Sequence, residues 1–329
     1  MIVGEGKYKF ELVENWAQIP DGWHIGDAPG VATDSEDQVY LFNRSEHPVI
    51  VFDRDGNFQG SWGEGVFARA HGITITSNEI VYCTDDMDHT VRKFTLQGEL
   101  LHTIGTPNQP SDTGYVNEGD YALTTVQRAA GPFNRPTKVA EATNGELFIT
   151  DGYGNARIHR FSAEGDLIHS WGDPGDGPGQ FNLPHSIWIH EDGRVLVCDR
   201  ENCRVQIFNQ AGNLLGAWTN IGRPQELYVD QDNTVYVASR YCKKGEKTMA
   251  GQPMTETCPA HVSVRDMEGN LLARWGGSDP HEPSSFGGSH GICLDSHGDL
   301  YVAEVAQTAL SRIGQYRPGR IPIHKFARV

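Results

Sequence analysis

The sequence predicts an all-β chain folded as a six-bladed β-propeller, and three observations carry that expectation. A unit of four short strands recurs six times, Gly, Pro, Asn and Asp clusters punctuate its apolar runs, and helical periodicity is nearly absent. One such unit cannot bury both faces of its sheet, whereas six arranged radially cover one another and leave only short edges. A chain of 329 residues fills a single domain of this kind.

Taken in order, Lys7 to Val13 (KYKFELV) alternates as a strand but has no blade of its own. Gly30 to Gly63 and Gly72 to Gly105 form blades one and two. The repeat is clearest in blade three, Thr137 to Gly172 (TKVAEATNGELFITDGYGNARIHRFSAEGDLIHSWG), and in blade four, Ser186 to Asn220. Each runs through a strand, a DG-type turn, an apolar strand, a polar loop and two further strands, the last ending near a Trp. Blade five opens at Gln225, is interrupted by a polar insertion, resumes at His261 and ends at Gly276. Blade six starts at Gly291 and its pattern fades after Ser311, which gives it the expected bounds 291–316. The strand over 7–13 is expected to complete this last blade, closing the ring and removing its open edge.

A formal charge of −16 and a pI near 5.2 give a surface that repels phosphate backbones and anionic lipid. Nucleic-acid and membrane partners are therefore not expected, and a small-molecule partner is. No apolar leader follows Met1 and no run is long enough to span a bilayer, so a cytoplasmic location is expected. Composition does not set the oligomeric state. Six cysteines are too few to build a disulfide fold, and most lie in apolar strand runs as small hydrophobes. Cys242 and Cys258 bracket the polar segment Lys243 to Thr257, where they form either a local disulfide or a thiol pair.

The residues just before the first strand of each blade are Pro29, His71, Thr137, His185, Gln225 and His290. Histidine thus fills every second blade. The first strand lies nearest the axis and alternate blades stand about 120° apart, so three imidazoles converge on one point. Three nitrogens with an open fourth position are the usual ligand set of catalytic zinc, and iron, cobalt or nickel would also accept them. The other eleven histidines, such as His47, His89 and His159, read as surface or strand residues.

Loops joining the second and third strands open on the same face as this slot. They hold Asn43-Arg44-Ser45, Asp85-Asp86-Met87, Asp151-Gly152-Tyr153, Asp199-Arg200-Glu201, Ser239-Arg240-Tyr241 and Glu304-Val305. Glycines flank Tyr153, which suits pushing its side chain inward as a base. Arg44 suits a clamp on a substrate carboxylate, with Arg200, Arg240 and Tyr241 as further substrate contacts. Insertions at Thr106 to Pro136 and Lys243 to Ala260 open on this face and are expected to cover it.

The repeat, with Arg-Ile or Arg-Val before the third strand and a Gly-Asn-Leu or Gly-Asp-Leu hairpin, resembles the NHL-repeat family over nearly the whole chain. More specifically, FARAHGIT around His71, FITDGYGNARI around Tyr153, GQFNLPHSI around His185, VCDRENCRVQ and GGSHGIC around His290 resemble the peptidyl-α-hydroxyglycine α-amidating lyase family. The resemblance implies a three-histidine zinc site, a carboxylate-binding role for Arg44, and cleavage of an N-acyl α-hydroxyglycine into an amide and glyoxylate. It does not extend to the structural calcium of that family, because Gly72, Ser186 and Gly291 follow the histidines where an acidic residue is needed. Gly154 stands in place of the family's cysteine beside the tyrosine, so that disulfide is not expected. No copper monooxygenase segment accompanies the propeller, which turns the expectation from a peptide toward a small carboxylate-bearing carbinolamide. Two other readings stay open: a hydrolase or lactonase using metal-bound hydroxide, and a non-catalytic binding platform with a structural metal.

Overall fold

The computed structural model describes residues 1–119 and 121–329. Six antiparallel sheets stand in a ring, and in blades one to five the four strands follow chain order across the sheet. First strands of successive blades touch all the way round, from Gly30–Thr33 through Ala70–Ile75, Pro136–Glu141, Pro184–Ile189 and Arg223–Val229 to Ser289–Leu294 and back to the first. They form the axis.

Apolar residues collect between neighbouring blades in six clusters. In one, Phe148, Ile158 and Trp171 of blade three meet Ile187, Val195 and Phe208 of blade four. The outer-strand tryptophans explain the recurring hairpin glycines: a Cβ on Gly98, Gly212 or Gly269 would lie 2.6, 2.9 or 2.5 Å from the rings of Trp62, Trp171 and Trp218. The same glycines adopt φ of 84, 82 and 87°, a left-handed turn that a side chain would strain. Asp34, Asp230 and Asp295 set the other hairpins, each accepting two backbone N–H groups from its own turn.

Blade six closes the ring as expected. Its order is Ser289–Leu294, Leu300–Glu304, Ile323–Arg328, then the N-terminal strands Tyr8–Val13 and Ile2–Glu5, with Phe10 opposite Arg328 and Val13 opposite Lys325. The third strand lies beyond the expected end at residue 316. After Glu304 the chain enters a short helix, Ala306–Ser311, and a loop through Pro318 and Pro322 before returning to the sheet, and this detour breaks the repeat spacing. Among the described residues, no helix is long and apolar enough to cross a membrane.

Glu304 anchors that detour. Fully buried, it accepts hydrogen bonds from the Gly287 and Gly288 backbone, from Arg320 (2.6 and 2.8 Å) and from His324 (2.9 Å). Burial pushes its carboxyl up, but His324 and Arg320 outweigh burial and hold it at about 2 against an ordinary 4.5. A carboxyl depressed in the folded state stabilises above its unfolded value and loses that effect as pH falls through its folded value. Urea unfolding should therefore find Glu304→Gln less stable by about 3 kcal/mol at pH 7, with the gap closing between pH 4.5 and 2.

Candidate active site

In blades two to six the register of the innermost strand shifts at the slot, between Ala70 and Ile73, Pro136 and Lys138, Pro184 and Ser186, Pro224 and Glu226, and Ser289 and Gly291. His71, Thr137, His185, Gln225 and His290 are thus bulge residues inside the strand rather than residues preceding it. A bulge leaves its residue out of the ladder and re-aims the side chain, which here brings the histidines together at the axis. Buried acids at the ends of second strands hold the approach to each histidine. Asp85 accepts the N–H groups of Ala68 and Arg69, Asp199 that of Asn182, and Glu304 those of Gly287 and Gly288.

The six slots act in alternation. His71 Nδ1 donates to the Thr137 carbonyl at 2.8 Å, His185 to Gln225 at 2.7 Å, and His290 to Pro29 at 2.7 Å, so each histidine blade donates to the slot residue of the next blade. With the proton on Nδ1, each Nε2 carries a lone pair. Burial, reinforced by neighbouring histidines and arginines, holds all three imidazoles well below the usual histidine range and therefore neutral. Ring centroids are 4.6 to 5.1 Å apart, and the potential ligand atoms all lie within 4.8 Å of one another. Three neutral, oriented imidazoles suit a divalent transition ion.

Tyr153 stands over this cluster, its hydroxyl 3.3 Å from both His71 and His185 Nε2 and 3.2 Å from Arg200 Nη1. Leu123 and Leu183 pack around it, and the guanidiniums of Arg135 and Arg200 lie 5.2 and 5.3 Å from its ring centre. Burial pushes the phenol up, but Arg200, Arg69 and Arg44 outweigh it and leave the hydroxyl more acidic than an ordinary tyrosine. Above lies a cavity of about 530 Å³ walled by Arg44, Arg200, Arg240, Met87, Val305 and both insertions, the latter through Tyr115, Asn117 and Met249.

The NHL repeat family model matches residues 181–208. Human NHL repeat-containing protein 3 is 32% identical over 227 residues, covering 65% of this chain and 61% of that protein; the chain thus spans about three fifths of its length. A solved streptogramin B lyase shares the fold with a TM-score of 0.59 at 14% identity, over 96% of this chain and 97% of that one. Drosophila melanogaster peptidyl-alpha-hydroxyglycine alpha-amidating lyase 2 is 30% identical over 325 residues, covering 89% of this chain and 72% of that protein. The chain belongs to the peptidyl-α-hydroxyglycine α-amidating lyase family.

In this family member, Arg44 lines the cavity with one nitrogen on Asp27 (3.1 Å) and another on the Ala70 carbonyl (3.2 Å). Arg200 is buried, bonded to Glu201 (2.7 Å) and the Gln225 side chain (3.1 Å). Arg240 lines the cavity, whereas Tyr241, 37% exposed, does not: successive residues of a strand end point to opposite sides. Sequence reasoning missed Arg69 and Arg135, which share Asp86 at 2.6 and 2.8 Å, and Arg312 beyond the short helix. Arg135 adopts φ of 68°, a conformation no residue pattern announced.

Departures from the family pattern have steric reasons. A Cβ on Gly154 would lie 2.1 Å from the Asn134 amide oxygen and 2.9 Å from its backbone carbonyl, so a cysteine there requires the Asn134 segment to shift. A Cβ on Gly72 would lie 2.4 Å from the Thr137 carbonyl, which closes that position to an acidic calcium ligand. Cys242 and Cys258 are free thiols that pair across an isolated antiparallel bridge. Plasma emission on protein from zinc-supplemented culture should find near one equivalent of divalent metal per chain, and under about a tenth of that in folded His185→Ala.

Proposed function

We propose that the chain is a metal-dependent lyase that cleaves the C–N bond of a small N-acyl α-hydroxyglycine, giving an amide and glyoxylate. The observation that carries this reading is the Tyr153 hydroxyl, shared between two metal-site imidazoles and Arg200 at the floor of an arginine-walled cavity. A divalent ion such as zinc held by His71, His185 and His290 would supply Lewis-acid polarisation of the substrate hydroxyl. As the phenolate that its arginines favour, Tyr153 takes the hydroxyl proton. As the carbonyl of glyoxylate forms, the C–N bond breaks, its electron pair stays on the amide nitrogen, and the proton held by Tyr153 passes to that nitrogen. Arg44 orients the substrate carboxylate while Asp27 fixes the guanidinium from behind.

The insertions serve this chemistry by excluding water. Tyr115 and Asn117 are fixed by Arg135 at 2.7 and 2.8 Å, and the Met249 backbone N–H donates to Glu201 at 3.0 Å. The expected activity is release of glyoxylate, in step with an amide, from N-acetyl-α-hydroxyglycine; a hydrolysed product without glyoxylate would transfer the chain to the hydrolase reading. Tyr153→Phe should lower kcat by about 10²- to 10³-fold with metal content intact. Arg44→Ala should instead raise KM by about 10- to 100-fold, and loss of metal in that variant would remove Arg44 from its carboxylate role.

A further inference from the structure

The cavity wall carries more positive charge than one substrate carboxylate uses. Arg44, Arg69, Arg135, Arg200, Arg240 and Arg312 line it, and among the described residues no Asp or Glu does. Behind the wall Asp27 pairs with Arg44, Asp86 is shared by Arg69 and Arg135, and Glu201 is shared by Arg200 and Arg223. Among the described residues, Arg240 and Arg312 have neither a carboxylate partner nor a side-chain hydrogen bond, although the buried acid Glu201 lies within electrostatic reach of Arg240. Arg240 is half-buried, and burial together with the charges of Arg223 and Arg200 pushes its guanidinium down to about 9. Unpaired guanidiniums facing a cavity, in a chain whose net charge is −16, are complementary to an anionic ligand group.

These two arginines stand on segments that carry none of the groups assigned to the reacting end. Arg240 closes the second strand of blade five and Arg312 follows the helix Ala306–Ser311 of blade six, with Val305 and Ala309 also on the cavity wall. Apolar and cationic side chains thus share this part of the lining. We infer that Arg240 and Arg312 form a second anion subsite, and that the substrate is a dianion whose acyl group ends in a second carboxylate. The identity of the reacting end rests on the lyase reading; the second subsite rests on the arginines.

Two unreactive analogues test the inference without requiring turnover: N-acetylglycine carries one carboxylate and N-succinylglycine two. Calorimetric titration of the metal-loaded protein should find N-succinylglycine bound about 10- to 100-fold more tightly. That advantage should fall below about threefold in Arg240→Gln and shrink in Arg312→Gln, whose exposed site makes it the safer variant to fold. Equal affinity for the two analogues in the unmodified protein, or an advantage retained in the Arg240→Gln/Arg312→Gln double variant, overturns the subsite. Glyoxylate release from the matching α-hydroxyglycines, assayed in parallel, separates the two readings. Discrimination between analogues with no glyoxylate from either substrate keeps the subsite and removes the lyase; glyoxylate from both substrates with no discrimination does the reverse.

Discussion

The hydrogen bonds from His71, His185 and His290 to the carbonyls of Thr137, Gln225 and Pro29 set ring tilt and tautomer together. Without them a buried neutral imidazole can carry its proton on either ring nitrogen, and the Nε2–H tautomer would present a proton rather than a lone pair to the axis. Propeller symmetry makes the arrangement possible at low cost. Each acceptor is a backbone group already present in the neighbouring blade, so orienting the three imidazoles requires no dedicated side chain. The bulges and buried acids then work one layer further out, fixing the backbone from which those rings project.

Much of this was legible in the residues, and the reasons are physical. Hairpin chemistry is local, so the Asp and Gly positions that make turns announced the blades. The three histidines were legible because a ring converts a repeated sequence slot into a point in space. The third strand of blade six was not, since Ala306–Ser311 and the prolines after it displace Ile323–Arg328 from the repeat. Arg69, Arg135 and Arg312 escaped for a related reason: they lie on connections and beside a helix, where no repeat fixes direction. Tyr241 shows the converse error, in which adjacency to a cavity residue in sequence places a side chain on the other side of the strand.

The carboxylates that balance the arginine wall also tie down its cover. Asp86 accepts from Arg135, which in turn holds Tyr115 and Asn117 of the first insertion; Glu201 accepts from Arg200 and from the backbone of Met249 in the second. Charge compensation and closure of the cavity are therefore one network. A substitution made to alter the electrostatics of the wall will also loosen a loop, and the two effects need separate readouts.

The bond from His290 to Pro29 joins residues 261 apart in the chain. Loop-closure entropy grows only logarithmically, so this span costs little at equilibrium. It matters for time. Contacts of such separation form late, after local hairpins and blade pairs have collapsed. Two imidazoles find their carbonyls within adjacent blades, while the third is oriented only when blade six meets blade one, with the N-terminal strand seated beside Ile323–Arg328. The three-histidine cluster is thus complete only in the closed ring, so a test of metal binding there would report on ring closure as well as on the cluster itself.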